Sequence, residues 1–319
     1  SILLQNLFGI QLVEENVSND DDGELWYPTV RKLSLHHETE GMLGTIYLDL
    51  YPRPDKYVHA AHFTIRCGCT VYSSSSGTKK SQLPIVALVT NLSSSNGSSN
   101  PNNLLTHSEV ETLFHELGHA LHSLLSRTKF QHLSGTRCAV DFVETPSHWM
   151  ENYIWDKQFL QMFAKHYLTG RRIPTDLVTK LSSSRYLFQC LEIQNQILYA
   201  QLDQALFGDI SQVNTTSIQL LEDLHMKYSI PYAKGTHWHT KFGHLITYGA
   251  GYYGYLYDQA FAADIWNQCF RENPLSRSSG DKMRTEILIH GGAMDPEKML
   301  EGMLGRKSSV EAFFENIKS

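Results

Sequence analysis

Long apolar runs are missing from this 319-residue sequence. None approaches the roughly 18 uninterrupted residues that a transmembrane helix requires, so no membrane span is expected. Positive charge is scarce too. Lys and Arg number 27 against 33 Asp and Glu, a net charge of −6, and the clustered basic side chains that grip phosphates are absent, which excludes a nucleic-acid partner. Cysteine is sparse: five residues, Cys67, Cys69, Cys138, Cys190 and Cys269, odd in number and with no Cys-x-x-Cys pair. They read as thiols of a reducing compartment, not as a disulfide framework. Cys67-Gly68-Cys69 lacks the further partners a soft-metal site needs, and the Asn-x-Ser/Thr matches at Asn16, Asn91, Asn96 and Asn214 carry little weight as glycosylation sites. No internal repeat is evident. The chain begins at Ser1 and runs straight into Ile2-Leu3-Leu4-Gln5-Asn6-Leu7-Phe8, the pattern of a protein interior, so any targeting peptide is expected to lie outside it.

What is present suffices for a sizeable core, with 41% apolar residues. Residues 1–104 form the β-containing part. Val30 to His37, Gly44 to Tyr51 and His62 to Thr70 alternate as half-buried strands do, which predicts a small antiparallel sheet. Gln82 to Val89 is more continuously apolar, as in a strand covered on both faces, with Pro84 confining it to an edge or to its first residues. The polar segments Ser73 to Ser81 and Ser93 to Asn103 read as mobile loops, and Glu14 to Glu24, with Asp20-Asp21-Asp22, as a solvated acidic loop. From residue 105 onward the periodicity is helical. Residues 105–170 hold the candidate site, and 171–319 continue with helices over Thr175 to Gly208, interrupted near Ser182-Ser183-Ser184, and Thr215 to Tyr228. The fold class is mainly α (α+β).

The chemistry concentrates in His115-Glu116-Leu117-Gly118-His119. It lies in a run from about Ser108 to Ser126 whose apolar residues, Val110, Leu113, Phe114, Leu117, Leu121 and Leu124, follow helical spacing. Thr106 with Glu109, or Ser108 with Glu111, offers the N-terminal capping signal. Residues four apart stack on one helix face, so His115 and His119 can share one metal ion, for which zinc is suited. Glu116 then falls beside the ion, placed to take a proton from a metal-bound water. A catalytic zinc needs a third protein ligand. Glu144, Asp141 and Glu151 are the candidates downstream. A second constellation, His244 to Tyr255, is rich in Gly and Tyr. Tyr248 and Tyr255 could converge as protonated hydroxyl donors for an oxyanion, with His244 adding a further hydrogen bond, or the segment could be aromatic packing alone. His122 is expected to pack or hydrogen-bond behind the metal, and His237 and His239 to lie in a cleft or at the surface.

These blocks, with Gly135-Thr136-Arg137-Cys138 and Asp141-Phe142-Val143-Glu144-Thr145-Pro146-Ser147, resemble the thimet-oligopeptidase family of zinc metallopeptidases. The Arg127-Thr128-x-Phe130-Gln131-His132 approach and Phe242-Gly243-His244-Leu245-x-x-Tyr248-Gly249-Ala250-Gly251-Tyr252-Tyr253 are similar to its mitochondrial, precursor-processing branch. Family members are longer, so the likeness is to their C-terminal catalytic half. The resemblance implies a zincin-like fold, one Zn²⁺ held by His115, His119 and Glu144, Glu116 as general base, and His244, Tyr248 and Tyr255 as transition-state groups. It implies a peptide or precursor-protein substrate, removal of an N-terminal octapeptide from imported precursors, and the mitochondrial matrix as location. A general oligopeptidase of short peptides in the cytoplasm is the alternative within the family. A non-catalytic interaction protein that keeps the fold is the alternative outside it, against which the presence of all three ligands with Glu116 argues.

Overall fold

The computed structural model describes residues 1–17, 23–72, 79–92, 104–185, 187–208 and 215–318. The acidic triplet Asp20 to Asp22, the segment Ser93 to Asn103 and most of Ser73 to Ser81 therefore lie outside the described residues.

The chain opens with α1 (Ile2–Phe8), whose Leu3, Leu4, Leu7 and Phe8 are buried and whose C-terminus is closed by Gly9 in the left-handed region, φ 63°. Among the described residues seven strands follow: β1 (Ile10–Glu14), β2 (Arg31–His37), β3 (Gly41–Asp49), β4 (Ala61–Arg66), β5 (Cys69–Tyr72), β6 (Lys79–Gln82) and β7 (Ile85–Val89). Five of them form one sheet in the order β1-β2-β3-β7-β4, and β5 with β6 makes a separate hairpin. The sheet is mixed and not purely antiparallel as the alternation predicted. β3 and β7 run parallel, Thr45 opposite Ile85 and Asp49 opposite Val89. A long intervening excursion through β4 to β6 makes that parallel return possible. β7 starts directly after Pro84, so the missing amide falls outside the ladder and the strand can be central. Its unbroken apolar run has a two-sided cause. Val86 and Leu88 join the main core, while Ala87 and Val89 pack with Val30 and Tyr47 on the opposite face.

The remainder is helical: α2 (His107–Leu125), α3 (Thr145–Trp155), α4 (Lys157–Phe163), α5 (Thr175–Ser184), α6 (Gln189–Phe207), α7 (Ser217–Lys227), α8 (His244–Thr247), α9 (Gly254–Cys269), α10 (Arg277–Met283), α11 (Pro296–Leu304) and α12 (Glu311–Lys318). The α2 N-terminus is closed by the Thr106/Glu109 capping box: Glu109 N–H donates to Thr106 Oγ1 (3.2 Å) and Thr106 N–H donates back to Glu109 Oε2 (2.7 Å). The helical break expected near Ser182 to Ser184 separates α5 from α6. One core binds the sheet to α2, α3 and α9, with Leu121, Leu124, Trp149, Tyr153, Ile265 and Phe270 all nearly inaccessible to solvent. α6 and α7 pair through a satellite cluster of Leu198, Leu202, Leu221 and Leu224. No described helix is long and apolar enough to cross a membrane, and all five cysteines are free.

Candidate metal centre and active-site cleft

Three elements meet at the site. α2 lies against the sheet and carries His115, Glu116 and His119. α3 packs across α2, and Glu144 is its N-cap residue. α9 packs against α3 and carries Tyr255 in its first turn. The α2–α3 approach depends on Gly118, where a Cβ would fall 2.6 Å from Ser147 Cα and 2.7 Å from the Pro146 carbonyl oxygen.

The histidines converge as their four-residue spacing requires. His115 Nε2 lies 3.3 Å and His119 Nε2 3.0 Å from the same oxygen, Glu144 Oε2, with their rings 4.9 Å apart. Glu144 is buried, 6% exposed, and Ser147 Oγ sits 3.1 Å from Oε2. Behind His115, Nδ1 is 2.6 Å from Glu151 Oε1, and His148 Nδ1 is 3.1 Å from the same carboxylate. Glu151 was a candidate ligand by sequence and here holds the rear of His115. Asp141 is not at the centre at all: it accepts a hydrogen bond from the Tyr253 hydroxyl at 2.7 Å, at the surface.

These contacts test whether a cation fits. A carboxylate can only accept, so His115 Nδ1 donates to Glu151 and, in the neutral ring, Nε2 is left as a lone pair. That lone pair faces another acceptor, Glu144 Oε2. Two acceptors 3.3 Å apart require positive charge between them, either ring protons or a metal ion. In its absence the protons stay. Burial would lower the His115 pKa, but hydrogen bonds with Glu144 and Glu151 push it up to about 10. Burial likewise opposes ionisation of Glu144, and the two imidazoles override it and hold the carboxyl well below its usual range. With metal–ligand lengths of about 2.0–2.1 Å, ligand atoms at the corners of a tetrahedron are roughly 3.3 Å apart, close to the spacings seen. Two nitrogens and one oxygen, with a position left toward the cleft, fit a catalytic zinc. His115, His148 and Glu151 form a second cluster of ligating groups. Their contacts are hydrogen bonds, and neither His148 nor Glu151 lines the cleft, so the first cluster is the metal candidate.

The cleft measures about 980 Å³ and is lined by His115, Glu116, His119, Glu144, His244, Tyr248 and Tyr255 together. Burial raises the Glu116 carboxyl above its ordinary value. The His244, Tyr248 and Tyr255 rings cluster, with Tyr248 and Tyr255 5.6 Å apart and His244 5.9 Å from each. Burial lowers His244 and raises Tyr248 and Tyr255, the latter well above the ordinary phenol value. At neutral pH the imidazole is thus uncharged and both hydroxyls keep their protons. All seven sequence-predicted residues share one cleft.

Other histidines separate from the site. His122 is fully buried with neither nitrogen hydrogen-bonded among the described residues, and burial pushes it down to about 3, so it packs as a neutral ring. His239 is buried against Ser217 Oγ, 3.1 Å away, and lies outside the cleft. Sequence reasoning missed His62, whose ring is 6.4 Å from that of His119 and which lines the cleft with Tyr57 and His59. It also missed Asp258, an acid in the apolar register of α9, which accepts hydrogen bonds from Glu144 N–H (2.9 Å) and Thr145 Oγ1 (2.8 Å). The Glu151 role had a legible sign: it stands two helical turns after Glu144, on the same face of α3.

The profile of peptidase family M3 matches residues 1–319. The chain is 45% identical over 307 residues to the mitochondrial intermediate peptidase of Arabidopsis thaliana, an alignment covering 96% of this chain and 42% of that protein. It is 43% identical over 313 residues to the Homo sapiens mitochondrial intermediate peptidase, covering 98% of this chain and 42% of the other. The chain thus spans less than half the length of these relatives. Among solved structures, a Pyrococcus furiosus carboxypeptidase superposes with a TM-score of 0.51 at 14% identity, over 86% of this chain and 53% of that one, a likeness of fold alone.

Proposed function

The chain belongs to peptidase family M3, and from that membership and the cleft we propose that it is the catalytic portion of a zinc metalloendopeptidase. One observation carries the reading. The imidazoles of His115 and His119 converge on the Glu144 carboxylate with Glu116 opening into the same cleft. His115, His119 and Glu144 would hold the ion. When bound, zinc supplies a Lewis acid that polarises the scissile carbonyl and acidifies water.

The chain's own residues do the rest. Glu116 takes a proton from the attacking water at its carboxylate and passes it to the leaving amine, a transfer that its burial-raised pKa favours. Tyr248 and Tyr255 donate hydrogen bonds from their hydroxyls to the oxygen of the tetrahedral intermediate, and neutral His244 adds another. β4 ends the sheet, and Ala60, Ala61 and His62 line the cleft beside it. Its outer backbone edge, unpaired among the described strands, supports holding an extended peptide as an added strand.

For the substrate, similarity to mitochondrial intermediate peptidases supports cleavage of an N-terminal octapeptide from imported precursors in the mitochondrial matrix. A precursor carrying an octapeptide, assayed against a generic short peptide, separates this from general oligopeptidase activity. Glu116→Gln should keep zinc while kcat falls by about 10²–10⁴-fold, the usual worth of a general base. Undiminished turnover removes the mechanism. Less than one tightly held zinc per chain would favour a non-catalytic binding protein.

A further inference from the structure

α3 has an unusual start. Its N-cap residue is Glu144, whose side chain makes no capping hydrogen bond. Its carboxylate is committed to His115 and His119 instead. Of the first backbone groups, the Thr145 N–H donates to the Phe142 carbonyl and Pro146 has no N–H, which leaves the Glu144 N–H itself as a buried amide that needs an acceptor from elsewhere.

Another helix fills the gap. Asp258 of α9 is completely buried, and its two oxygens take separate donors. Oδ2 accepts the Glu144 N–H at 2.9 Å and Oδ1 accepts the Thr145 hydroxyl at 2.8 Å. One turn earlier, Gly254 lies so close to the loop before Glu144 that a Cβ would stand 3.1 Å from Asp141 Cα. Between these two contacts sits Tyr255, facing the cleft. The first turns of α9 are thus pinned to the start of α3 on both sides of the residue that the mechanism uses as an oxyanion donor.

We propose that Asp258 is a positioning residue: from α9 it binds the Glu144 N–H and the Thr145 hydroxyl at the start of α3, and so holds the Glu144 ligand in register with Tyr255. The role differs from that of Glu151, which steadies a histidine; Asp258 couples the ligand shell to the oxyanion side of the cleft. It touches neither substrate nor metal.

The inference rests on the metallopeptidase reading, so the experiment separates the two. On the purified chain, zinc affinity is measured by competition with a chromogenic chelator, alongside thermal melting, kcat and KM. D258A should weaken zinc by about 10–100-fold, the usual cost of losing an outer-shell partner, and lower kcat more than it raises KM. D258N keeps a carbonyl for the Glu144 amide and an NH₂ for Thr145 Oγ1, and should recover most of both. T145V, which removes one of the two bonds, should fall between. A D258A protein that melts earlier but binds zinc as the wild type does overturns the proposal, because Asp258 would then be merely structural. Should D258A fail to fold, wild-type zinc affinity in T145V overturns it equally. If the wild-type chain itself binds no zinc, the metallopeptidase reading fails first, and the inference with it.

Discussion

Glu151 Oε1 lies 2.6 Å from His115 Nδ1 while Nε2 of the same ring faces Glu144, 3.3 Å away. One residue thus decides which nitrogen of the histidine carries a proton and which is free to bind metal. Glu151→Ala would strand the Nδ1 atoms of His115 and His148 in a nearly closed space. Zinc affinity should drop by about 10–100-fold, as for other outer-shell carboxylates, whereas Glu151→Gln, which keeps an acceptor oxygen, should lose less. Chelator competition on the two variants checks the order. Equal affinities for Ala and wild type would mean the bond does not set the tautomer.

Tyr255 makes a different prediction because the role proposed for it acts only on the charge that develops during reaction. Tyr255→Phe keeps the ring packing against Tyr248, His244 and Tyr252 and removes one donor. A fall of about 10²–10³ in kcat with KM and zinc content nearly unchanged is expected for the loss of one oxyanion donor. Steady-state kinetics on one peptide suffices, and a rise in KM alone would assign Tyr255 to substrate binding instead.

These residues also separate what the sequence discloses from what it hides. His115, His119 and Glu116 are legible because a helix places fixed spacings on one face, and β7 because a run apolar at every position needs cover on both sides. The β3–β7 parallel pairing is hidden, since alternation reports which face a residue takes and not its neighbour's direction. Asp258 is hidden for a like reason: on α9 it reads as one acid among core residues, and its partners, Glu144 and Thr145, are more than a hundred positions away. His62 shares that difficulty. Side chains recruited across space are marked by no local period, whereas Glu151, two turns after Glu144 on one helix, is.

Asp49 carries a pH-dependent part of the stability. Burial would raise its pKa, but hydrogen bonds from Arg53, Trp26 and Lys56 prevail and hold it at about 2. The unfolded chain has the ordinary value of about 3.9. A group whose folded pKa is depressed stabilises fully above the unfolded value and loses that contribution as pH falls toward the folded one. The difference in urea midpoint between wild type and Asp49→Asn should therefore be constant above pH ~5 and shrink between about pH 4 and 2. A difference independent of pH over that window would show that Asp49 acts through packing and not through its charge.

Gly118 tests whether the α2–α3 approach sets the metal site. Two effects of Gly118→Ala oppose each other. Alanine favours a helix interior by about 1 kcal/mol over glycine, which would stabilise α2 taken alone. Against that, the new methyl would meet Ser147 Cα at 2.6 Å, the Pro146 carbonyl oxygen at 2.7 Å and Ser147 N at 2.9 Å. All three are backbone atoms, so no side chain can swing aside and α3 must move. Overpacking of this kind costs about 1–3 kcal/mol, and the rigid backbone contact places it at the upper end, so the net effect is destabilising. The displaced backbone lies in the first turn after Glu144, and the movement carries the third ligand away from His115 and His119. Melting temperature and zinc affinity should therefore fall together, and the kinetic loss should be recovered in part by excess zinc. A Gly118→Ala protein that melts higher than wild type and keeps full zinc affinity would show that α3 has room to retreat without disturbing Glu144.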